Sequence, residues 1–187
     1  MRKLLIVPLM WCASVSAQEV AGAYVGFGLG QLDYEERDFG ITLEDTTLAY
    51  KVYGGYRFNE VWSFEASYGV TDDLKWSESG FIPGVGNVSL TLQGDYEILE
   101  VRGLAHLKAF LVGVGYWDAD LSANLSGTAP GIGPFSISTS DSDSGASMIL
   151  GGQWALDRWG IRAEYELFDT ESTVDAFTLG LSVHHRF

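Results

Sequence analysis

Between Phe177 and Phe187 the chain alternates almost without error. Phe177, Leu179, Leu181, Val183, His185 and Phe187 share one parity, and Thr178, Gly180, Ser182, His184 and Arg186 share the other. A β-strand sends successive side chains to opposite faces, so this segment predicts a strand with one apolar and one polar face. The same period recurs upstream. Over residues 21–31, Ala23, Val25, Phe27 and Leu29 oppose Tyr24, Gly26, Gly28 and Gly30. Over 47–58, Leu48, Tyr50, Val52, Tyr56 and Phe58 oppose Lys51, Tyr53 and Arg57, and over 61–71, Trp62, Phe64, Ala66, Tyr68 and Val70 oppose Ser63, Glu65, Ser67 and Gly69. Over 95–107, Leu99, Val101, Gly103 and Ala105 alternate with Glu100 and Arg102; Tyr96 and Ile98 sit on the wrong parity unless a bulge intervenes. Residues 109–117, 145–156 and 159–168 complete the set, the last with Arg162, Glu164 and Glu166 opposite Trp159, Ile161, Ala163, Tyr165 and Leu167.

These segments predict an all-β protein, an eight-stranded antiparallel up-and-down transmembrane β-barrel. The connections alternate in length. Short turns fall at Asn59-Glu60, Lys108 and Asp157-Arg158, while residues 72–94 and 118–144 are read as long connections, the second prolonging strands at 121–125 and 135–138. Outer-membrane barrels show that asymmetry, with short periplasmic turns and longer outside loops. Strands of about ten residues match the thickness a tilted strand must cross. Trp62, Trp154, Tyr56, Phe58, Trp159 and Phe187 gather near the short turns, where an aromatic girdle belongs.

The first residues add a targeting signal. Arg2 and Lys3 precede an apolar stretch and then Ser14-Val15-Ser16-Ala17, which reads as a secretory signal peptide over 1–17 and a mature barrel domain over 18–187. The single cysteine, Cys12, lies within it, so the mature chain is expected to use neither disulfides nor thiolate metal sites. Formal net charge is −14, or about −16 once Arg2 and Lys3 are removed, which argues against nucleic acid. Gly26-x-Gly28-x-Gly30 precedes an acidic stretch rather than a helix and is not read as a phosphate loop.

An eight-stranded interior is just wide enough for side chains to fill. The inward set, Lys51, Arg57, Glu65, Glu100, Arg102, Arg162, Glu164 and Glu166, carries both signs and predicts a salt-bridged plug, with Arg102 and Arg162 sandwiched by glutamates. The alternative is a small low-conductance ion pore along those charges. An enzyme acting on outer-leaflet lipid would need a serine beside a histidine at the outer end; His106, His184 and His185 all fall near the short-turn ends. No catalytic residue, cofactor or metal site is expected, since adjacent His184 and His185 point to opposite faces. A soluble lipocalin-like barrel would want its larger apolar face inward, the reverse of this pattern. Sixteen acids fall in the outside connections, read as a solvated face in preference to carboxylates sharing divalent cations with lipopolysaccharide.

Residues 161–169, Ile161-Arg162-Ala163-Glu164-Tyr165-Glu166-Leu167-Phe168-Asp169, followed by Val174-Asp175 and Leu179-Gly180-Leu181, resemble the end of the OmpA-type transmembrane barrel. Val112-Gly113-Val114-Gly115-Tyr116-Trp117-Asp118 resembles its fifth strand. The resemblance implies an outer-membrane barrel in a Gram-negative bacterium with a charge-paired interior. It also implies a membrane-insertion signal in the last strand, carried by Phe177, Leu179, Leu181, Val183 and Phe187. His185 departs from that pattern, and the chain stops before any peptidoglycan-binding domain, so wall anchoring is not implied. The partners expected are outer-membrane lipid and lipopolysaccharide, the barrel-insertion machinery and an unidentified partner of the outside loops. The role expected is structural or surface interaction.

Overall fold

In the computed structural model, which describes residues 21–38, 41–131, 133–170 and 174–187, nine strands form one antiparallel sheet. They are β1 (Gly22–Asp38), β2 (Ile41–Arg57), β3 (Trp62–Thr71), β4 (Leu74–Ile82), β5 (Gly86–Leu107), β6 (Phe110–Ala129), β7 (Gly133–Leu156), β8 (Trp159–Phe168) and β9 (Val174–Arg186). Eight of them close a ring. β1 pairs β9 from Tyr24↔Arg186 to Glu36↔Val174, and β3 pairs β5 from Trp62↔Ala105 to Val70↔Glu97. Closure leaves no edge in that part of the sheet. The Phe187 amide extends it by donating to the Ala23 carbonyl at 3.1 Å.

β4 stands outside the ring, paired only with the far part of β5 from Leu74↔Gly94 to Ile82↔Gly86. Residues 72–94 are therefore a β-hairpin for most of their length, not the irregular connection the sequence suggests. Residues 118–144 are likewise strand on both sides of a turn, paired continuously from Leu107↔Phe110 in β5–β6 and from Ala129↔Gly133 in β6–β7. β5, β6 and β7 run for 22, 20 and 24 residues. At about 3.3 Å per residue they are roughly twice as long as a tilted membrane-spanning strand. The β5 register passes straight through Tyr96 and Ile98, so no bulge occurs there. Both residues keep the inward parity of Glu100 and Arg102.

The ring is apolar outside. Phe27, Val52, Phe64, Val101, Val114, Leu150, Ile161 and Leu181, one from each of its eight strands, are all exposed. The opposite parity holds the buried polar set, including Ser63, Glu65, Arg102, Ser147, Arg162 and Glu166. At the short-turn end β5–β6 and β7–β8 turn over two residues each, with Lys108 (φ 60°) and Asp157 (φ 58°) left-handed. Exposed Tyr56, Phe58, Trp62, Trp154, Trp159 and Phe187 surround that end.

Candidate functional site: the lumen and its outer mouth

The lumen is built in layers, each set by the inward parity of the eight strands. Nearest the short turns, the Arg57 guanidinium donates from Nε to the Asn59 carbonyl (3.0 Å) and from Nη2 to the Glu60 carbonyl (2.6 Å). It therefore braces the β2–β3 turn. Beside it, Gln153 fixes a relay. Its amide nitrogen donates to the Lys108 carbonyl at 3.2 Å, so its oxygen faces His106 Nδ1 at 2.8 Å and accepts a hydrogen bond from Nδ1–H. Nε2 of that tautomer is left to accept from the Ser63 hydroxyl at 2.7 Å. A serine–histidine pair thus exists, a contact the sequence did not reveal. It lies at the short-turn end, with Ser63 and His106 both buried.

Above the relay, Leu104, Leu111 and Ile149 make a small apolar layer inside the barrel. Next comes the charge cluster. Glu65 lies at its centre, accepting from Tyr24 Oη (2.6 Å), from Arg102 Nε (2.8 Å) and Nη2 (2.6 Å), and from Arg162 Nη1. Arg102 also reaches Glu164 at 3.2 Å and lies 3.7 Å from Glu100 and 3.8 Å from Glu166. Lys51 caps the cluster, 3.2 Å from Glu164 and 3.4 Å from Glu166. Glu100 accepts from the Ser147 hydroxyl at 2.6 Å and the Ser67 hydroxyl at 3.3 Å. Isolated charges in such a place would each cost several kcal/mol, and here every one faces an opposite charge. Seven of the eight expected lumen residues are brought together; Arg57 is held apart at the turn.

Tyr24 and Tyr53 complete the layer, their rings 5.2 and 5.5 Å from the Arg162 guanidinium carbon. That filling needs glycines on neighbouring strands. A Cβ at Gly55 would strike the Tyr24 ring and Glu65, and one at Gly115 would strike Ser147 and Glu100. A continuous ion path is not favoured by an interior packed in this way, with Arg102 and Arg162 each 1 % exposed.

Towards the long-strand end the lining changes to aromatic and aliphatic. Tyr34, Tyr96, Ile98, Trp117 and Phe168 face inward there, around a cavity of about 300 Å³. The sequence pattern missed this layer because it equated the inward face with polar residues.

The last strand sends its two histidines apart. His184 lies inside against the Tyr24 ring at 5.5 Å, and His185 lies outside between Trp159 (4.8 Å) and Phe187 (5.3 Å). The departure at His185 is thus an aromatic ring packed edge-on within the girdle. Leu179, Leu181, Val183 and Phe187 are exposed on that outer face, and Phe177 is half-buried there against Tyr165 at 5.3 Å.

The family described as outer membrane protein beta-barrel domain matches residues 4–187. The chain belongs to that family. It is a bacterial outer-membrane barrel, and its short turns and long hairpins take the periplasmic and outside ends as in other such barrels. Among solved structures, the barrel is similar to Ail, the attachment invasion locus protein of Yersinia pestis, in complex with the heparin analogue sucrose octasulfate. Identity is 17 %, covering 89 % of this chain and 99 % of that one, with a TM-score of 0.58. It is also similar to Neisserial surface protein A, at 16 % identity over 90 % of this chain and 100 % of that one, TM-score 0.51. At these identities the likeness is one of fold. No curated protein matches the chain in sequence.

Proposed function

We propose that the protein is a non-catalytic surface barrel: a sealed pedestal in the outer membrane that presents long β-hairpins to a partner outside the cell. The observation that carries this reading is the contrast between its two halves. The membrane half is packed with side chains. The outer half continues β5, β6 and β7 well past the span and adds β4. Chain of that length contributes nothing to barrel closure, so its use lies outside.

The charge of those hairpins points to the kind of partner. Asp72, Asp73, Glu78, Asp118, Asp120, Asp141 and Asp143 are exposed on or beside them, and the exposed Lys75 is paired to Asp73 at 3.2 Å. Ail is crystallised with a sulfated sugar. A surface this acidic repels such an anion and suits a basic protein surface. The lumen cluster of Lys51, Glu65, Glu100, Arg102, Arg162, Glu164 and Glu166, with Arg57 at the turn, serves as the structural plug of the pedestal. In biogenesis, residues 1–17 are the export signal, removed to leave 18–187. The apolar face of Phe177, Leu179, Leu181, Val183 and Phe187 is what the insertion machinery reads, before lipid and lipopolysaccharide cover the barrel wall. The buried Ser63–His106 pair has no part in lipid chemistry.

The test is attachment of cells displaying the protein to matrix-coated surfaces. Trimming the β4–β5 and β6–β7 hairpins back to the ring is expected to abolish attachment while the barrel remains in the membrane. Attachment unchanged by trimming overturns the reading, and lipid turnover dependent on Ser63 overturns its non-catalytic part.

A further inference from the structure

We propose that the outer mouth of the lumen is a binding cup for a small organic cation with an apolar body, of the quaternary ammonium class. The inference stands on the cavity inside the barrel and not on the hairpin attachment reading, so either survives failure of the other. The cavity of about 300 Å³ equals the liquid volume of roughly ten waters, ample for such a ligand. Its walls are unlike the charged layer below. Trp117 and Phe168 meet edge-on at 5.7 Å from β6 and β8, with the indole nitrogen donating to the Ala146 carbonyl at 3.0 Å. Tyr34 and Tyr96 meet at 6.0 Å. They belong to β1 and β5, which are not neighbours in the sheet, so this pair reaches across the lumen.

The charged groups at the lip of the cavity are acidic. Asp141 and Asp143 line the lip, at the β7 positions paired with Leu121 and Ala119. Each holds one carboxylate oxygen on the following amide, at 2.9 Å for Ser142 and 2.7 Å for Ser144. No lysine or arginine lines the cavity among the described residues. Below it, Ile98 and Phe168 also border a smaller space whose lining includes Lys51, Glu100, Glu164 and Glu166. Aromatic faces attract a cation through their quadrupole, Trp and Tyr more than Phe, and the lip carboxylates add to the same field. An anion would meet repulsion at the acidic lip. A neutral apolar ligand would gain the walls and nothing from the carboxylates.

The experiment uses the full mature barrel refolded in maltoside micelles, which contain no quaternary ammonium. The probes are choline, its neutral carbon isostere 3,3-dimethylbutan-1-ol, and sucrose octasulfate. The readout is tryptophan fluorescence, with Trp117→Phe assigning the signal. Choline is expected to give a saturable change that weakens with salt, and the isostere to bind at least about tenfold more weakly. Tyr96→Ala, and Asp141→Asn with Asp143→Asn, are each expected to weaken choline by about tenfold while heat-modifiable gel migration stays native. Asp141 and Asp143 are exposed, so the asparagine variant folds even if the tyrosine variant does not. No saturable choline signal, equal binding of the isostere, or displacement by the sulfated sugar would overturn the proposal.

Discussion

Glu65 shows how one side chain is made tolerable in a closed interior. It is fully buried and takes donors from Tyr24, Arg102 and Arg162 at once. Replacing it by glutamine keeps the shape but leaves two guanidinium groups short of charge. Glu65→Gln is expected to lower the unfolding free energy of the refolded barrel in urea by about 3–5 kcal/mol. Lys51→Met, at the solvent-touched rim of the same cluster, is expected to cost about 1 kcal/mol, because water already screens that pair. Equal costs would mean that the cluster is not graded in depth. A smaller effect belongs to Ser63→Ala, which leaves the buried His106 Nε2 without its donor at about 1–2 kcal/mol. At this scale the sequence was informative about types and silent about partners. The parity of Glu65, Arg102 and Arg162 is visible in the chain, whereas the tie between Gln153, His106 and Ser63 joins three strands whose register no local pattern states.

Among the strands, those that touch lipid were the legible ones. A greasy face beside a polar one produces alternation, and that condition holds for the ring segments of β1, β2, β3, β6, β7, β8 and β9. Once a strand leaves the membrane both of its faces meet water, and the alternation fades into Ser, Thr, Gly and Asp. This is why β4, the outer part of β5 and much of the outer β6 and β7 read as connections, apart from 121–125 and 135–138, where alternation persists and strand was expected. The Tyr96 and Ile98 positions failed for a different reason: the inside of the barrel at that height is aromatic, so the inward face looked like an outward one. The pairing pattern makes β4 separable. Replacing residues 74–94 by a short Gly-Ser link leaves every pair from Val70↔Glu97 to Trp62↔Ala105 in place. That variant is expected to keep heat-modifiable migration and a midpoint in urea close to the parent's. Loss of the folded gel species would show that the outer hairpin is needed for closure.

Taken whole, the molecule is a stopper below and a bristle of acidic hairpins above. Planar-bilayer recording of the refolded protein is expected to show no stepwise conductance, and regular unitary steps would contradict the packed interior. The Glu65 cluster also has a temporal meaning. Its members come from β1, β2, β3, β5 and β8, with hydrogen-bonded partners up to 115 positions apart in the chain. A nascent chain threading out from its amino end carries Lys51 unmatched until β8 arrives. An intermediate that stops at β5 can pair Glu65 with Arg102 but leaves Lys51 without Glu164 and Glu166. Completion of the cluster is therefore expected to come late, with slow kinetics typical of contacts remote along the polymer, and a product truncated before β8 is expected to keep Lys51 unpaired and to be more open to periplasmic proteases.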